Sequence, residues 1–347
     1  LKRDDVWVED ERDGSRKVST EDAVLSQIRV PVVQQIQALR KDNKLLSTYL
    51  VGIRNVLYED GCLYPSINLL LTSTGRLSYQ EPNMQNFPKR RAEARFIRNI
   101  IRARPGHVLL AADYGQIEAR CIAMASEDPA FIDALWKNFD IHMYWAEELY
   151  RRHRRIKDWV MSELDVEDES KWLKTLRTEM KNRWVFPLFY GSSYISCARA
   201  LHIPESLSQT LAKEFWGMFT GVKRWQTKLE RFYLERGYVE TLTGRRRRGP
   251  LDRGRVINSP IQGAASDIVV DASNRLVAAG IVPLFNIHDD LTFEVPTELV
   301  AVESRRIAKI MCSPEFGFMS VPVVIEMETG VRWGGMEKLR EFHSNRD

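Results

Sequence analysis

Apolar residues follow two rhythms along this chain. From Val24 to about Leu50 they recur at helical spacing, which predicts one or two helices with a break near Pro31. Ser19-Thr-Glu-Asp22, just ahead of them, reads as a capping box that opens the first. Leu63 to Leu71 reads as extended. Val108 to Ala112 is a short unbroken apolar run, the signature of a strand buried on both faces, and it ends on Asp113. Gln116 to Ser126 follows as a helix, with Ile117, Cys121 and Met124 on one face. Further helices are predicted over Pro129 to about Arg155, Glu169 to Trp184, Leu211 to Glu235 and Asn258 to Ala279, with a charged loop between the first two. Pro187 predicts a kink or break inside Val185 to Gly191. Phe215, Trp216, Phe219 and Trp225 form an aromatic stripe that reads as core. Tyr238 to Gly244 is strand-like. Ile281 to His288 and Leu291 to Val295 form a hairpin with Asp289 and Asp290 at or near its tip, and Val321 to Met327 is a last strand.

Two sites therefore place carboxylates where buried strands end: Asp113, and Asp289 with Asp290. Adjacent carboxylates repel unless a cation intervenes. Oxygen-only donors, with no His or Cys cluster nearby, point to Mg2+ rather than zinc. A pair of such carboxylates suits two-metal phosphoryl chemistry. Arg177 and Lys181 stand one helical turn apart, a spacing that suits a chain of phosphates and equally suits a solvated polar face. The turn-rich stretch from Thr72 to Pro88 reads either as an ordered binding loop or as ordinary surface.

Length and composition narrow the class. With 347 residues the chain is too long for one simple core. It has no apolar run of membrane-spanning length and no signal-peptide pattern, so no membrane partner is expected. It begins at Leu1, which reads as a piece of something longer. The four cysteines lie far apart and fit a reducing compartment, such as the cytoplasm of a bacterium or of a phage-infected cell. Net charge is only +4, but Lys89 to Arg91, Arg151 to Arg155 and Arg245 to Arg248 are basic clusters in a chain with nine Trp, which favours a polyanion partner.

At this point the residues carry a resemblance to family A DNA polymerases, the bacterial DNA polymerase I class. Asp113-Tyr-Gly-Gln-Ile-Glu-Ala-Arg120 resembles the family's motif A. Arg177-x3-Lys181, ending in Tyr190-Gly191, resembles motif B, and His288-Asp289-Asp290 resembles motif C. Thr74 to Ser78 with Pro82 to Asn86, Tyr238 to Arg245, and Asn258 to Gly263 resemble further family segments in the same order. The resemblance implies an α+β right-hand fold with an antiparallel palm sheet, helical fingers and a truncated helical thumb. Thumb base would be 1–60, palm 61–127 and 237–347, and fingers 128–236. It implies template-directed addition of deoxynucleotides to a primer 3′ end, with primer–template DNA and dNTPs as partners, and a monomer whose missing N-terminal portion carries an exonuclease or other domain.

The resemblance also assigns roles. Asp113, Asp289 and the carbonyl of Tyr114 would hold two Mg2+ ions, with Mn2+ able to substitute. Lys181 would be catalytic together with Asp113 and Asp289. Arg177, Lys181 and His142 would contact the incoming triphosphate, and Gln116, Phe186 and Tyr190 would line the nucleotide. Glu118, packed against Tyr190, would be the steric gate against a 2′-hydroxyl. Arg76, Asn83, Gln85, Arg255, Asn258, Gln262 and His288 would touch DNA. Against the usual pattern there is one extra residue between Lys181 and Tyr190, Pro187 replaces a common Gly, and Asp290 stands where Glu is usual. A helical bulge could absorb the extra residue, and its position decides which face Lys181 and Phe186 use. No arginine stands four before Asn258, so Arg253 or Arg255 must serve. The wording around Tyr190 and the His-Asp-Asp are nearer to phage or phage-derived members. The rivals are a single-subunit RNA polymerase, which Glu118 argues against, a non-catalytic DNA-binding remnant, and a metal-dependent nuclease.

Overall fold

His107 to Tyr114 forms the middle strand of a five-stranded sheet in the computed structural model, which describes residues 7–9, 16–18, 20–25, 28, 30–88, 96–164, 166 and 168–344. The chain divides into two compact units, Leu1–Ile67 with Tyr79–Ile101, and Asn68–Ser78 with Arg102–Asp347.

The first unit is mostly helical. Pro31 opens helix α1 (Pro31–Lys44) rather than merely interrupting one, since its missing N–H is an orphan at that position anyway. The helix widens into a π-turn over Leu45–Val51 and resumes over Gly52–Val56. Its buried anchors are Tyr49 and Ile53. The Tyr49 ring meets Phe87 edge-on at 5.7 Å, and its hydroxyl donates to the Asn86 carbonyl at 2.6 Å. Asn83 caps the 3-10 turn Met84–Asn86 by accepting from the Gln85 N–H. Ser19, of the expected capping box, lies outside the described residues, as do Lys89 to Arg91.

The second unit is α+β around the sheet. Label its strands β1 (His107–Tyr114), β2 (Phe285–Ile287), β3 (Asp290–Pro296), β4 (Val324–Gly330) and β5 (Glu337–His343). The order is β5-β4-β1-β3-β2 and every pairing is antiparallel. Leu109 to Ala112 are covered on both faces, as the unbroken apolar run required. The strand runs past Asp113 to Tyr114, so the carboxylate sits one residue inside its end. The helix Val300–Met311 packs on this sheet, and the Tyr114 hydroxyl donates to the Met311 carbonyl at 3.0 Å. Neither this helix nor β5 is anticipated by the sequence reading.

Further helices among the described residues include α2 (Ile117–Ser126), α3 (Ile141–Arg152), α4 (Trp172–Met180), α5 (Phe186–Phe189), α6 (Tyr194–Leu201), α7 (Glu205–Met218), α8 (Thr220–Arg236) and α9 (Arg253–Ala278). Several depart from expectation. Pro129 to Arg155 is two helices, because Asp128 and Asp140 each cap a separate start. The charged stretch expected as a loop carries a helix at Ile156–Glu163, with Ile156 and Val160 buried one turn apart. Leu211 to Glu235 breaks at Phe219, where the N–H groups of Gly221 and Val222 turn onto the buried Asp128 carboxylate at 2.6 and 3.0 Å. A side chain at position 221 would meet Asp128 at 2.8 Å, so glycine is required for that approach. Phe215 and Phe219 of the aromatic stripe are core, whereas Trp216 and Trp225 are half-exposed. Asp252 starts α9 five residues ahead of Asn258 by accepting from the Arg255 N–H at 2.8 Å. The strand read from Tyr238 pairs with Arg246–Arg248, so the arginines are the return strand of a hairpin.

Candidate active site

The two carboxylate-bearing strand tips are neighbours. In β1 and β3 Asp113 faces Asp290 across the ladder, and on the other side Asp113 faces Glu326 of β4. His288 and Asp289 form the tight turn between β2 and β3, with His288 at φ +60°. The Tyr114 N–H donates to the Asp289 carbonyl at 3.2 Å, which fixes that turn beside Asp113. Facing residues of an antiparallel pair share a face, so Asp290, Asp113 and Glu326 make a row of acids. Burial pushes the Asp289 carboxyl above the usual carboxylate range; Arg76 draws it down and Glu118 pushes it up. Among the described residues no three His, Cys, Asp or Glu side chains are gathered into a metal cage. Glu326 is exposed and escaped the sequence reading, although the alternation Ile325-Glu326-Met327 marks it as outward-facing.

A second cluster lies on one helix face. Lys181–Val185 is a π-turn between α4 and α5, closed by the Phe186 N–H donating to the Lys181 carbonyl five residues back. This is where the extra residue goes. Tyr190 is nine positions after Lys181, and at about 100° per residue a plain α-helix would put it on the opposite side. One residue absorbed in the wide turn makes the count behave like eight, and both return to one face. Accordingly Lys181 Nζ lies 5.7 Å from the Phe186 ring centre, and Phe186 stacks on Tyr190 at 6.0 Å with 12° between planes. Pro187 is accommodated just past the wide turn, so the helix runs on to Phe189 and the expected break is absent. Gln226 of α8 donates its amide to the Leu188 and Phe189 carbonyls at 3.1 and 2.8 Å, anchoring the end of α5.

His142, on α3, is buried with its ring 5.6 Å from Phe186, and its two ring nitrogens have no hydrogen-bond partner among the described residues. Burial, then Lys181 and Arg177, push its pKa down to about 4. Arg177 Nε donates to Asp140 Oδ2 at 2.6 Å. Asp140 also caps α3. Burial raises its carboxyl, but the hydrogen bonds from Arg177 and the Met143 N–H outweigh that and hold it below the usual range. Asp140 was not singled out from the sequence, although an Asp opening the apolar run Ile141 onward is an N-cap signal.

Glu118 joins the two clusters. It sits on the first turn of α2, where the Tyr190 hydroxyl donates to Oε2 and Arg76 Nη2 donates to Oε1 at 2.5 Å. Burial and then the Glu118 charge raise the Tyr190 phenol, so it remains the donor. The Arg76 loop is itself held by Ser266, whose hydroxyl donates to the Gly75 carbonyl at 2.8 Å, and by Arg245, which packs against Gly75 and pairs with Asp267.

The other expected residues scatter more widely. Gln116 is the exposed, left-handed N-cap of α2, at φ +55°. Asn258 and Gln262 are half-buried one turn apart on α9, and Asn258 Oδ1 is buried without a hydrogen-bond partner among the described residues. Of the two candidate arginines, Arg253 donates to the Gly191 carbonyl at 2.8 Å, beside Tyr190, whereas Arg255 pairs with Asp252 at 3.2 Å and is exposed. Asn83 and Gln85 belong to the first unit. No helix among the described residues is long and apolar enough to cross a membrane.

Residues 4–335 match the model of DNA polymerase family A. The chain is 32% identical over 333 residues to DNA polymerase I of Chloroflexus aurantiacus, covering 91% of this chain and 33% of that one. It is 32% identical to the thermostable DNA polymerase I of Thermus aquaticus, covering 92% of this chain and 38% of that one. The chain thus spans little more than a third of the length of these relatives. Among solved structures it is similar to the POL domain of Pol1 from M. smegmatis in complex with DNA primer-template and dNTP, with TM-score 0.74 and 26% identity, covering 91% of this chain and 56% of that one.

Proposed function

The chain belongs to DNA polymerase family A, and from that premise we propose that it is a template-directed DNA polymerase, extending a primer 3′ end with deoxynucleotides on primer–template DNA. The observation that carries this reading is the bridge Tyr190–Glu118–Arg76, which joins a cationic, aromatic helix face to the acidic tips of β1 and β3. A nucleoside triphosphate has the matching parts. Its phosphates suit Arg177, Lys181 and the neutral ring of His142; its sugar and base suit the stacked Phe186 and Tyr190.

Asp113 and Asp289 fit Mg2+. Both donors are oxygen, and one or two carboxylates are what a protein contributes when substrate phosphates complete the shell. The raised carboxyl of Asp289 and the acid row around Asp113 favour a cation there. Two such ions, when bound, lower the pKa of the primer hydroxyl and stabilise the leaving oxygen. The chain's own share is positioning. Lys181 delivers positive charge to the phosphates from over the Phe186 ring, and Arg177 is pre-oriented by Asp140. Glu118, fixed from two sides, occupies the space in which a 2′-hydroxyl would need room. Asn258, Gln262 and His288 are assigned to the primer–template, as are Arg76, Asn83 and Gln85. In this reading residues 1–60 are the base of a thumb, 61–127 and 237–347 the palm, and 128–236 the fingers.

The test is single-nucleotide primer extension on four templates that differ only in the next base. Addition of the matching deoxynucleotide in each case, with ribonucleotides far poorer, is the expected result. Untemplated addition, or ribonucleotides used equally well, rejects it.

A further inference from the structure

The Tyr190 hydroxyl fixes one side of Glu118, and its height depends on the backbone that carries it. That backbone is gripped from behind by α8. Val222, Gln226 and Leu229 recur at i, i+4 and i+7 on the inward face of α8, so Gln226 stands at a core position. It is fully buried. Its side-chain nitrogen donates to two successive carbonyls, of Leu188 and Phe189, at 3.1 and 2.8 Å. Its own carbonyl oxygen is buried with no hydrogen-bond partner among the described residues. Leu or Met would fill the position without that desolvation cost, so what the amide contributes is its two donors. One turn further along α8, Glu230 accepts from Arg253 Nε at 2.9 Å, and Arg253 Nη1 donates to the Gly191 carbonyl at 2.8 Å. The two grips fall on either side of Tyr190, at Phe189 and at Gly191.

We infer that Gln226 and Arg253 form a clasp that sets the Tyr190 hydroxyl against Glu118, and so are positioning residues for the choice of deoxy- over ribonucleotide. The inference rests on the polymerase reading and extends its gate to residues behind it. The last carbonyls of a helix have no partner within it, so a helix ending at Phe189 frays unless other groups take them. A gate discriminates only while it is stiff, and a supporting side chain that drifts by about 1 Å is enough to loosen it. With the Leu188 and Phe189 carbonyls released, Tyr190 would shift and Glu118 would lean away from a 2′-hydroxyl. Gln226 is shielded from water, whereas the Arg253–Glu230 pair is partly exposed and screened, so Gln226 is the stronger grip.

The experiment uses the full chain and measures kcat/KM for the matching deoxynucleotide and its ribonucleotide in the parent, Gln226→Met and Arg253→Met, each also in a Tyr190→Phe background. Gln226→Met should lower the deoxy-to-ribo ratio by at least about threefold, and Arg253→Met by less. In the Tyr190→Phe background, where the hydroxyl is already gone, Gln226→Met should lower the ratio no further, because the clasp acts through that hydroxyl. Hydrogen exchange of the backbone from 186 to 192 should quicken in Gln226→Met with no nucleotide present. Gln226→Glu supplies a rescue. Its neutral carboxyl has one O–H to donate and its ionised form has none, so its ratio should climb toward the parental value as pH is lowered. If Gln226→Met does not fold, Gln226→Glu across pH and Arg253→Met carry the same test. Deoxy- and ribonucleotide rates that fall together, leaving the ratio unchanged, make Gln226 a support for the helix end alone and overturn the clasp. So does a full further loss of the ratio in the Tyr190→Phe background. A parent that adds neither nucleotide overturns the polymerase reading instead, and the exchange rates still decide whether α8 holds the turn.

Discussion

Glu118 accepts hydrogen bonds from Tyr190 and Arg76 and so cannot swing aside at low cost. Shortening it to Ala opens room for one oxygen atom. The ratio of kcat/KM for deoxy- over ribonucleotide should then fall by at least about tenfold, about 1.4 kcal/mol. Deoxynucleotide activity should fall too, because Tyr190 and Arg76 lose their shared partner. Tyr190→Phe keeps the stack on Phe186 but removes one donor, and its ratio should lie between those of parent and Glu118→Ala. An unchanged ratio in an active Glu118→Ala protein would remove the gate. His142 supplies an independent check on burial. Its folded pKa of about 4 lies below the ordinary 6.5, so the unfolded chain binds the proton more readily. Its contribution is fully present above pH 6.5 and is lost as pH falls toward 4, by up to about 3 kcal/mol. Denaturant melts across that range should show a shallower acid loss in His142→Gln than in the parent. Parallel curves would mean the ring titrates normally.

Among the elements, the π-turn Lys181–Val185 shows what a linear pattern conveys and what it leaves out. The surplus residue before Tyr190 was countable in the sequence. Where it was absorbed was not, because several neighbouring turns could have widened and only the contacts among Lys181, Phe186 and Tyr190 select one. The same turn explains why Pro187 does not break the helix. A proline ring clashes with the carbonyl four residues back in a regular helix, and a wide turn moves that carbonyl away. Deleting the exposed Asn182 should restore regular α geometry and bring the clash back, destabilising the protein by about 3 kcal/mol. Combining the deletion with Pro187→Ala should recover both melting temperature and primer extension. If the deletion alone is harmless, the turn and the proline are unconnected. Other misses have mixed causes. The merging of helices across Asn138 overlooks a local signal, since Asp140 caps the new start by accepting from the Met143 N–H, whereas the break at Phe219 is imposed by Asp128 through a contact distant in the chain.

For the whole molecule, strand tips and motif spacing carried the sheet, its antiparallel hairpin and the family, because a buried strand and a tight turn leave local traces at Val108 to Ala112 and at His288-Asp289. The meeting of Asp113 with Asp290 was legible as two strand tips, but Glu326 left no such trace, since register joins residues far apart in the chain. Nor did the bridge through Arg76, whose loop is positioned by Ser266 and Arg245 from far along the chain. Under the proposed function the acids of β1 and the β2–β3 turn are the seat of phosphoryl transfer, separate from the groups that grip DNA. Duplex affinity should fall steeply with salt, because phosphate contacts dominate it, and losing one acid should leave that curve nearly unchanged. The decisive measurement is therefore primer extension and duplex binding side by side for Asp113→Asn and Asp289→Asn. Each variant should retain parental duplex affinity and salt slope while losing extension by several orders of magnitude, with Asp290→Asn milder. Near-parental extension by either of the first two, or a loss confined to DNA binding, would contradict the assignment.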